Sequence, residues 1–141
     1  MFPLSWFTTT IEHYKKVNFE DMQFAIKNPR EFLIINTLST TEQTCLISGT
    51  MDVFMEEKIV NEMMNAIDVP DKHIILYGKN ANDFSPYQKY KQLQNLGIFD
   101  VMIYSGGLFE WLLLQDVYGC KTFPTTCKML DILKYKPDRQ L

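Results

Sequence analysis

Three short apolar runs limit what this chain can fold into more tightly than any other feature: 32-FLIINTL-38, 74-IILY-77 and 101-VMIY-104. Each is continuous and flanked by turn-prone residues, which is how a strand buried on both faces of a parallel sheet reads. Stretches with helical spacing lie between them. Strands that alternate with helices predict an α/β domain with a central parallel sheet flanked by helices on both faces. A length of 141 residues fits one such domain with a proper core and no need of staples.

The punctuation between the runs supports that order. Asn18 followed by Asp21 reads as a helix cap, so residues 19–27 form a short helix ended by Asn28-Pro29. Ser48-Gly49 marks a turn. Beyond it, residues 51–67 have mixed character, with apolar positions at Ile59, Met63, Met64 and Ile67 in helical spacing and the methionines read as core filling. Ser85-Pro86-Tyr87-Gln88 is the strongest local signal: a serine cap, a proline at the first helical position and a glutamine that completes a capping box. That helix runs to about Leu96, where Gly97 supplies the stop. After the third run, the Gly106-Gly107 turn opens an apolar helix over 108–119, with Trp111 and the following leucines assigned to the core. A C-terminal helix is expected over 127–135, capped by Thr125 or Thr126 and stopped before Pro137.

Composition removes several function classes. The net charge is −3, which argues against nucleic-acid binding through a basic face. Arg30 and Arg139 are the only arginines, so bidentate grips on phosphate are scarce. Cys45, Cys120 and Cys127 leave one thiol over in any pairing scheme, and no CxxC or His/Cys cluster points to a metal site. Reduced thiols in a cytoplasm-like compartment are the default expectation. The N-terminal stretch MFPLSWF has no basic leader and is far short of a membrane span. Phe2, Leu4, Trp6 and Phe7 are expected to form an ordered arm that packs on this domain or a neighbouring subunit. His13 and His73 stand alone, and Asp131 and Asp138 are too scattered for acid–base work.

The order of motifs resembles the rhodanese-like (sulfurtransferase) domain along roughly residues 17–122. The run 32-FLIINTL-38 is similar to the family's strand ending in Asp-Val-Arg, and 46-LISGTMDV-53 to its His-Ile-Pro-Gly-Ala turn through Ile47 and Gly49. The stretch 74-IILYG-78 resembles the strand that ends in the catalytic cysteine. The helix to Leu96 with Gly97-Ile98, and then 101-VMIYSGGLFEW-111, follow the family's Leu-Gly ending and its Val-Tyr-x-Leu-x-Gly-Gly-x-x-x-Trp signature. The resemblance implies one domain over 1–141: an apolar arm (1–16), a core (about 17–122) and a C-terminal helical extension (123–141). In active members a loop of converging N–H groups stabilises a cysteine thiolate that carries sulfur as a persulfide. Related phosphatases and arsenate reductases hold an oxyanion in a similar cradle.

Matched residue by residue, this chain departs from that pattern at its reactive point. Gly78 stands where the cysteine would be, the closing arginine is replaced by Phe84 and Ser85, and the Asp-Val-Arg brace reads Asn36-Thr37-Leu38. The loop equivalent (Gly78, Lys79, Asn80, Ala81, Asn82, Asp83, Phe84, Ser85) is about two residues longer than the usual sulfurtransferase loop. It is expected to bind an anion or a partner, with Lys79 its sole cation and facing solvent. The leading expectation is therefore a catalytically silent domain with no catalytic residue, no metal and no cofactor, acting as a protein-interaction or regulatory module. One alternative is an enzyme of altered, phosphatase-like or sulfurtransferase-related chemistry, using Asp83 or Ser85 in the enlarged loop. Another is a structural component that forms a homo-oligomer. A protein partner is expected, and neither nucleic acid nor membrane. The stretch EWLLLQDVYGCKTFPTT is similar to rhodanese-like proteins of large DNA viruses and some protists, which implies a cytoplasmic or virion-associated place.

Overall fold

The computed structural model describes residues 13–65 and 72–141. The elements run β1 (Lys16–Val17), α1 (Phe19–Lys27), β2 (Phe32–Asn36), α2 (Val53–Asn65), β3 (His73–Tyr77), α3 (Ser85–Asn95), β4 (Val101–Tyr104) and α4 (Gly107–Tyr118). Short 3-10 turns occupy Thr40–Glu42 and Ile132–Tyr135. The four strands form one sheet in the order β1-β4-β3-β2, every pair parallel. The α/β architecture with helices on both faces is as the sequence led one to expect.

Register aligns the strand ends. Asn36 lies beside Tyr77, and Tyr77 beside Tyr104, so β2, β3 and β4 reach their carboxyl ends together. In parallel sheets that edge is where ligands meet the fold. Strand residues alternate between two cores. Ile34, Ile75, Tyr77, Met102 and Tyr104 face the side covered by α1 and α4, where Met22, Trp111 and Leu112 pack. Leu33, Ile35, Ile74, Leu76, Val101 and Ile103 face α2 and α3, meeting Val60 and Leu93. Burial on both faces is the reason the runs read as unbroken apolar sequence.

Local chemistry explains the helix boundaries. At α1, Asn18 Oδ1 accepts from the Asp21 N–H and Asp21 Oδ2 accepts from the Asn18 N–H, both at 3.0 Å, a reciprocal capping box. At the end of α3, Gly97 (φ 85°) allows its own N–H to reach the Gln94 carbonyl and that of Ile98 to reach Leu93, a Schellman-type closure. In α2 the buried anchor is Val60; Met63 packs partly on the core, Met64 is exposed, and Ile67 lies outside the described residues. The aromatic arm at Phe2, Leu4, Trp6 and Phe7 also lies outside them.

One expectation needs correcting, and one element was not foreseen. The helix predicted over 127–135 is only the 3-10 turn at Ile132–Tyr135. Its intended caps are engaged elsewhere: the Thr126 N–H donates to the Leu46 carbonyl at 2.8 Å, and Thr126 Oγ1 accepts from the Leu46 N–H at 3.0 Å. Those bonds belong to an antiparallel crossing centred on Ile47 and Thr125, which holds this segment extended. The unforeseen element is strand β1, because two residues carry no readable period.

Replacing Asn18 by alanine removes the side-chain acceptor of the Asp21 N–H and leaves the Asn18 N–H bonded to the Asp21 carboxylate. We expect a loss of about 1 kcal/mol in urea unfolding with an unchanged slope; a midpoint equal to wild type would contradict the role given to the cap.

Candidate functional site

The loop that leaves β3 at the carboxyl edge of the sheet is held by its own Asn80 and Asp83 side chains and by flanking segments. Gly78 and Asn80 are buried, Lys79, Asp83 and Ser85 are half-buried, and Ala81, Asn82 and Phe84 are exposed. Its chain reverses through a turn in which the Asp83 N–H donates to the Asn80 carbonyl at 3.2 Å and the Asn82 N–H to Asn80 Oδ1 at 2.9 Å. An asparagine that caps its own turn in this way needs no external ligand. The other end of Asn80 reaches across the molecule, Nδ2 donating to the Tyr135 carbonyl at 3.0 Å. The C-terminal turn thereby props the loop.

The centre of the loop is filled by Asp83. One carboxylate oxygen accepts from the Lys79 N–H at 2.8 Å and the other from the Ser85 N–H at 2.9 Å. These amides belong to the loop's first residues and to the N-terminal end of α3, positions that suit an anion by dipole and by unpaired donors. Here the anion is supplied from within. A Cβ placed on Gly78 would lie 2.4 Å from Asp83 Oδ2, 2.9 Å from Pro86 Cγ and 3.0 Å from Asp83 Cγ. The carboxylate therefore occupies the space into which a side chain at position 78 would project.

Two flanking contacts lock the frame. The Leu108 and Phe109 N–H groups at the start of α4 donate to the carbonyls of Gly78 and Lys79, both at 2.9 Å. That approach requires Gly107: its φ is 70°, and an added Cβ would meet the Asn80 nitrogen at 2.8 Å and the Gly78 oxygen at 2.9 Å. On the other side, Thr37 and Ser85 exchange a hydroxyl hydrogen bond at 2.7 Å, and Ser85 Oγ donates to the Thr37 carbonyl at 3.2 Å. A neutral pair thus braces the site in place of a charged one. Tyr77, immediately before the loop, is fully buried, with its hydroxyl 2.6 Å from Thr50 Oγ1 and accepting from the Ile47 N–H at 3.2 Å. Burial pushes its phenol well above the usual tyrosine range, so it stays neutral.

Several expectations shift with this geometry. Ser85 is the first residue of α3, and its hydroxyl turns to Thr37 rather than capping the helix; the Asp83 carboxylate takes the Ser85 N–H instead. Lys79 is not simply solvent-facing: its Nζ lies 3.4 Å from Glu42 Oε1. Sequence reasoning did not single out Thr37, Glu42 or Tyr135 as supports. Thr37 entered it only as the middle residue of the stretch matched to Asp-Val-Arg. His73 contacts the Asp100 carboxylate at the opposite, amino end of β3, and His13 is exposed. Among the described residues, no three His, Cys, Asp or Glu side chains come together to hold a metal ion, and no helix is long and apolar enough to cross a membrane.

The comparisons fit this frame. The rhodanese-like domain profile matches residues 28–114. The chain belongs to the rhodanese-like family. No curated protein matches it by sequence. Among solved structures, it is similar to a single-domain sulfurtransferase of Saccharomyces cerevisiae (16% identity, 77% of this chain and 97% of that one, TM-score 0.56). It is also similar to the Alr3790 protein of Anabaena sp. (20%, 84% and 97%, 0.55) and to the As-Sb reductase of Leishmania major (15%, 75% and 79%, 0.53). At such identities the likeness shows the rhodanese fold. In this rhodanese-like chain Gly78 directly follows β3 at the carboxyl edge of the sheet.

Asp83→Ala leaves the Lys79 and Ser85 N–H groups without their acceptor. We expect a loss of about 1–3 kcal/mol in urea unfolding, together with faster hydrogen exchange at those two amides. Unchanged exchange there would mean that the carboxylate does not hold the loop.

Proposed function

We propose that this chain is a catalytically silent rhodanese-like domain that works as a protein-interaction or regulatory module. One observation carries the proposal: the Asp83 carboxylate sits within 2.4 Å of where a Gly78 side chain would begin, accepting the N–H groups that in an active loop would face a thiolate or oxyanion. An incoming anion would meet a negative charge and amides already bonded. The three thiols give no substitute, since none lies in the loop and the Cys45 thiol donates to the Cys127 carbonyl at the C-terminal crossing.

The alternative of a phosphatase-like enzyme asks Asp83 or Ser85 to act as nucleophile. Both Asp83 oxygens are engaged by backbone donors, and the Ser85 hydroxyl is engaged by Thr37. The loop's lysine, Lys79, is paired with Glu42 and not with either of them, whereas such chemistry needs an activating base or cation. A partner-facing role draws support from the loop's outer surface. Phe84 is 77% exposed beside an open cleft of about 520 Å³, bounded by Tyr14, Lys16, Tyr87, Gln88 and Lys91. An aromatic ring with aromatic and lysine neighbours is suited to anchoring a protein surface. The tail's likeness to viral rhodanese-like proteins supports a place inside a cell or virion.

A thiosulfate:cyanide sulfurtransferase assay tests the silence directly: we expect no thiocyanate above a buffer blank, and steady turnover would overturn the proposal. Gly78→Cys alone should stay inactive, because Asp83 fills the space of the new side chain. Gly78→Cys combined with Asp83→Gly should gain a persulfide detectable by mass after thiosulfate treatment. A persulfide on the single variant would show that Asp83 does not close the site.

A further inference from the structure

The three cysteines take no part in the loop, yet two of them are set opposite each other. Residues 45–48 and 124–127 run antiparallel, with Ile47 paired to Thr125. The Ser48 N–H donates to the Pro124 carbonyl at 3.0 Å and the Thr126 N–H to the Leu46 carbonyl at 2.8 Å. Those two bonds flank the Ile47–Thr125 pair without joining it, so that pair is of the non-hydrogen-bonded kind. Two residues back on one segment and two forward on the other, the same register sets Cys45 against Cys127 on the same face as that pair. Non-hydrogen-bonded positions bring side chains closest, with Cα atoms about 4.5 Å apart, inside the range of about 4.4–6.8 Å that a disulfide spans.

The thiol geometry agrees with the register. Cys45 Sγ donates to the Cys127 carbonyl oxygen at 3.2 Å, so its sulfur lies directly against the residue it would bond. Both thiols are free; Cys45 is fully buried, Cys127 half-buried and Cys120 exposed. The ladder also loosens where the bridge would form, since the Leu46 N–H turns to Thr126 Oγ1 instead of a carbonyl. That leaves backbone freedom for the small adjustment a disulfide needs.

We propose that Cys45 and Cys127 are a redox pair that closes to a reversible disulfide when the domain meets a disulfide oxidant such as oxidised glutathione. The half-buried Cys127 thiolate attacks the oxidant, forming a mixed disulfide and releasing one glutathione thiolate. The Cys45 thiolate then attacks Cys127 Sγ, forming the internal bond and releasing the second glutathione thiolate. Two thiol protons and two electrons leave the protein, and one oxidised glutathione becomes two reduced molecules. Burial and the neighbouring Cys45 push the Cys127 thiol up to about 11, so the exchange is slow near neutrality and is read at equilibrium. Closure staples the C-terminal segment to the residues before α2. The same segment carries Tyr135, whose carbonyl holds Asn80 of the loop. Oxidation thus fixes the prop beneath the loop surface.

The test is equilibration of the intact chain with mixtures of reduced and oxidised glutathione. Free thiols are then alkylated under denaturing conditions and the protein is digested with trypsin without reduction. The expected product joins peptide 31–58, which carries Cys45, to peptide 122–128, which carries Cys127. It should form in Cys120→Ser, vanish in Cys127→Ser, and raise the unfolding midpoint of the oxidised wild type but not of Cys127→Ser. Recovery of Cys45 and Cys127 both alkylated at every glutathione ratio would overturn the proposal. So would a bridge from either of them to Cys120 in its place.

Discussion

One carboxylate organises the part of this molecule where chemistry would be sought. Asp83 gathers the Lys79 and Ser85 amides from the two ends of the loop, and neighbouring contacts follow from the shape so fixed. With those N–H groups turned inward, the Gly78 and Lys79 carbonyls point outward to receive the first turn of α4. That docking places Gly107 against the loop backbone at a distance only glycine tolerates. A charged group satisfied by two donors is a stronger tie than an ordinary neutral hydrogen bond. The loop therefore has an internal reason to keep the anion-cradle shape with no external anion.

The two glycines flanking this arrangement carry different arguments. Gly107 is a matter of backbone: a positive φ and carbonyl and amide atoms within 3 Å leave no room for a side chain. Gly78 is a matter of competition, because what stands in the way is chiefly another side chain, the Asp83 carboxylate. The first position is required by the fold. The second is tied mainly to one side chain that can be changed, with Pro86 Cγ also at 2.9 Å, which makes the crowding at position 78 a matter of side chains rather than of the architecture.

Much of the fold was legible in the sequence because the signals were local. The apolar runs became β2, β3 and β4, and Asn18 with Asp21 formed the cap its spacing implied. The C-terminal helix failed because Thr125 and Thr126, good caps by type, pair instead with a segment some 80 residues earlier; no local pattern reports that. The capping box at Ser85 failed for a related reason. Thr37, brought alongside by the parallel register of β2 and β3, takes the serine hydroxyl, and Asp83 is nearer to the helix N–H. The resemblance drew attention to Gly78, but the side chain that fills the space beside it could not be read in advance, since that depends on how a turn folds Asp83 inward.

The central claim is that the loop's anion-binding amides are already taken. It is tested most directly by following the backbone N–H resonances of Lys79 and Ser85 in an isotope-labelled sample titrated with thiosulfate and, separately, with inorganic phosphate. The account predicts that neither resonance moves beyond the small general drift of ionic strength, while Asp83→Ala shows saturable shifts at both. Saturable shifts centred on those two amides in the wild-type protein would contradict it.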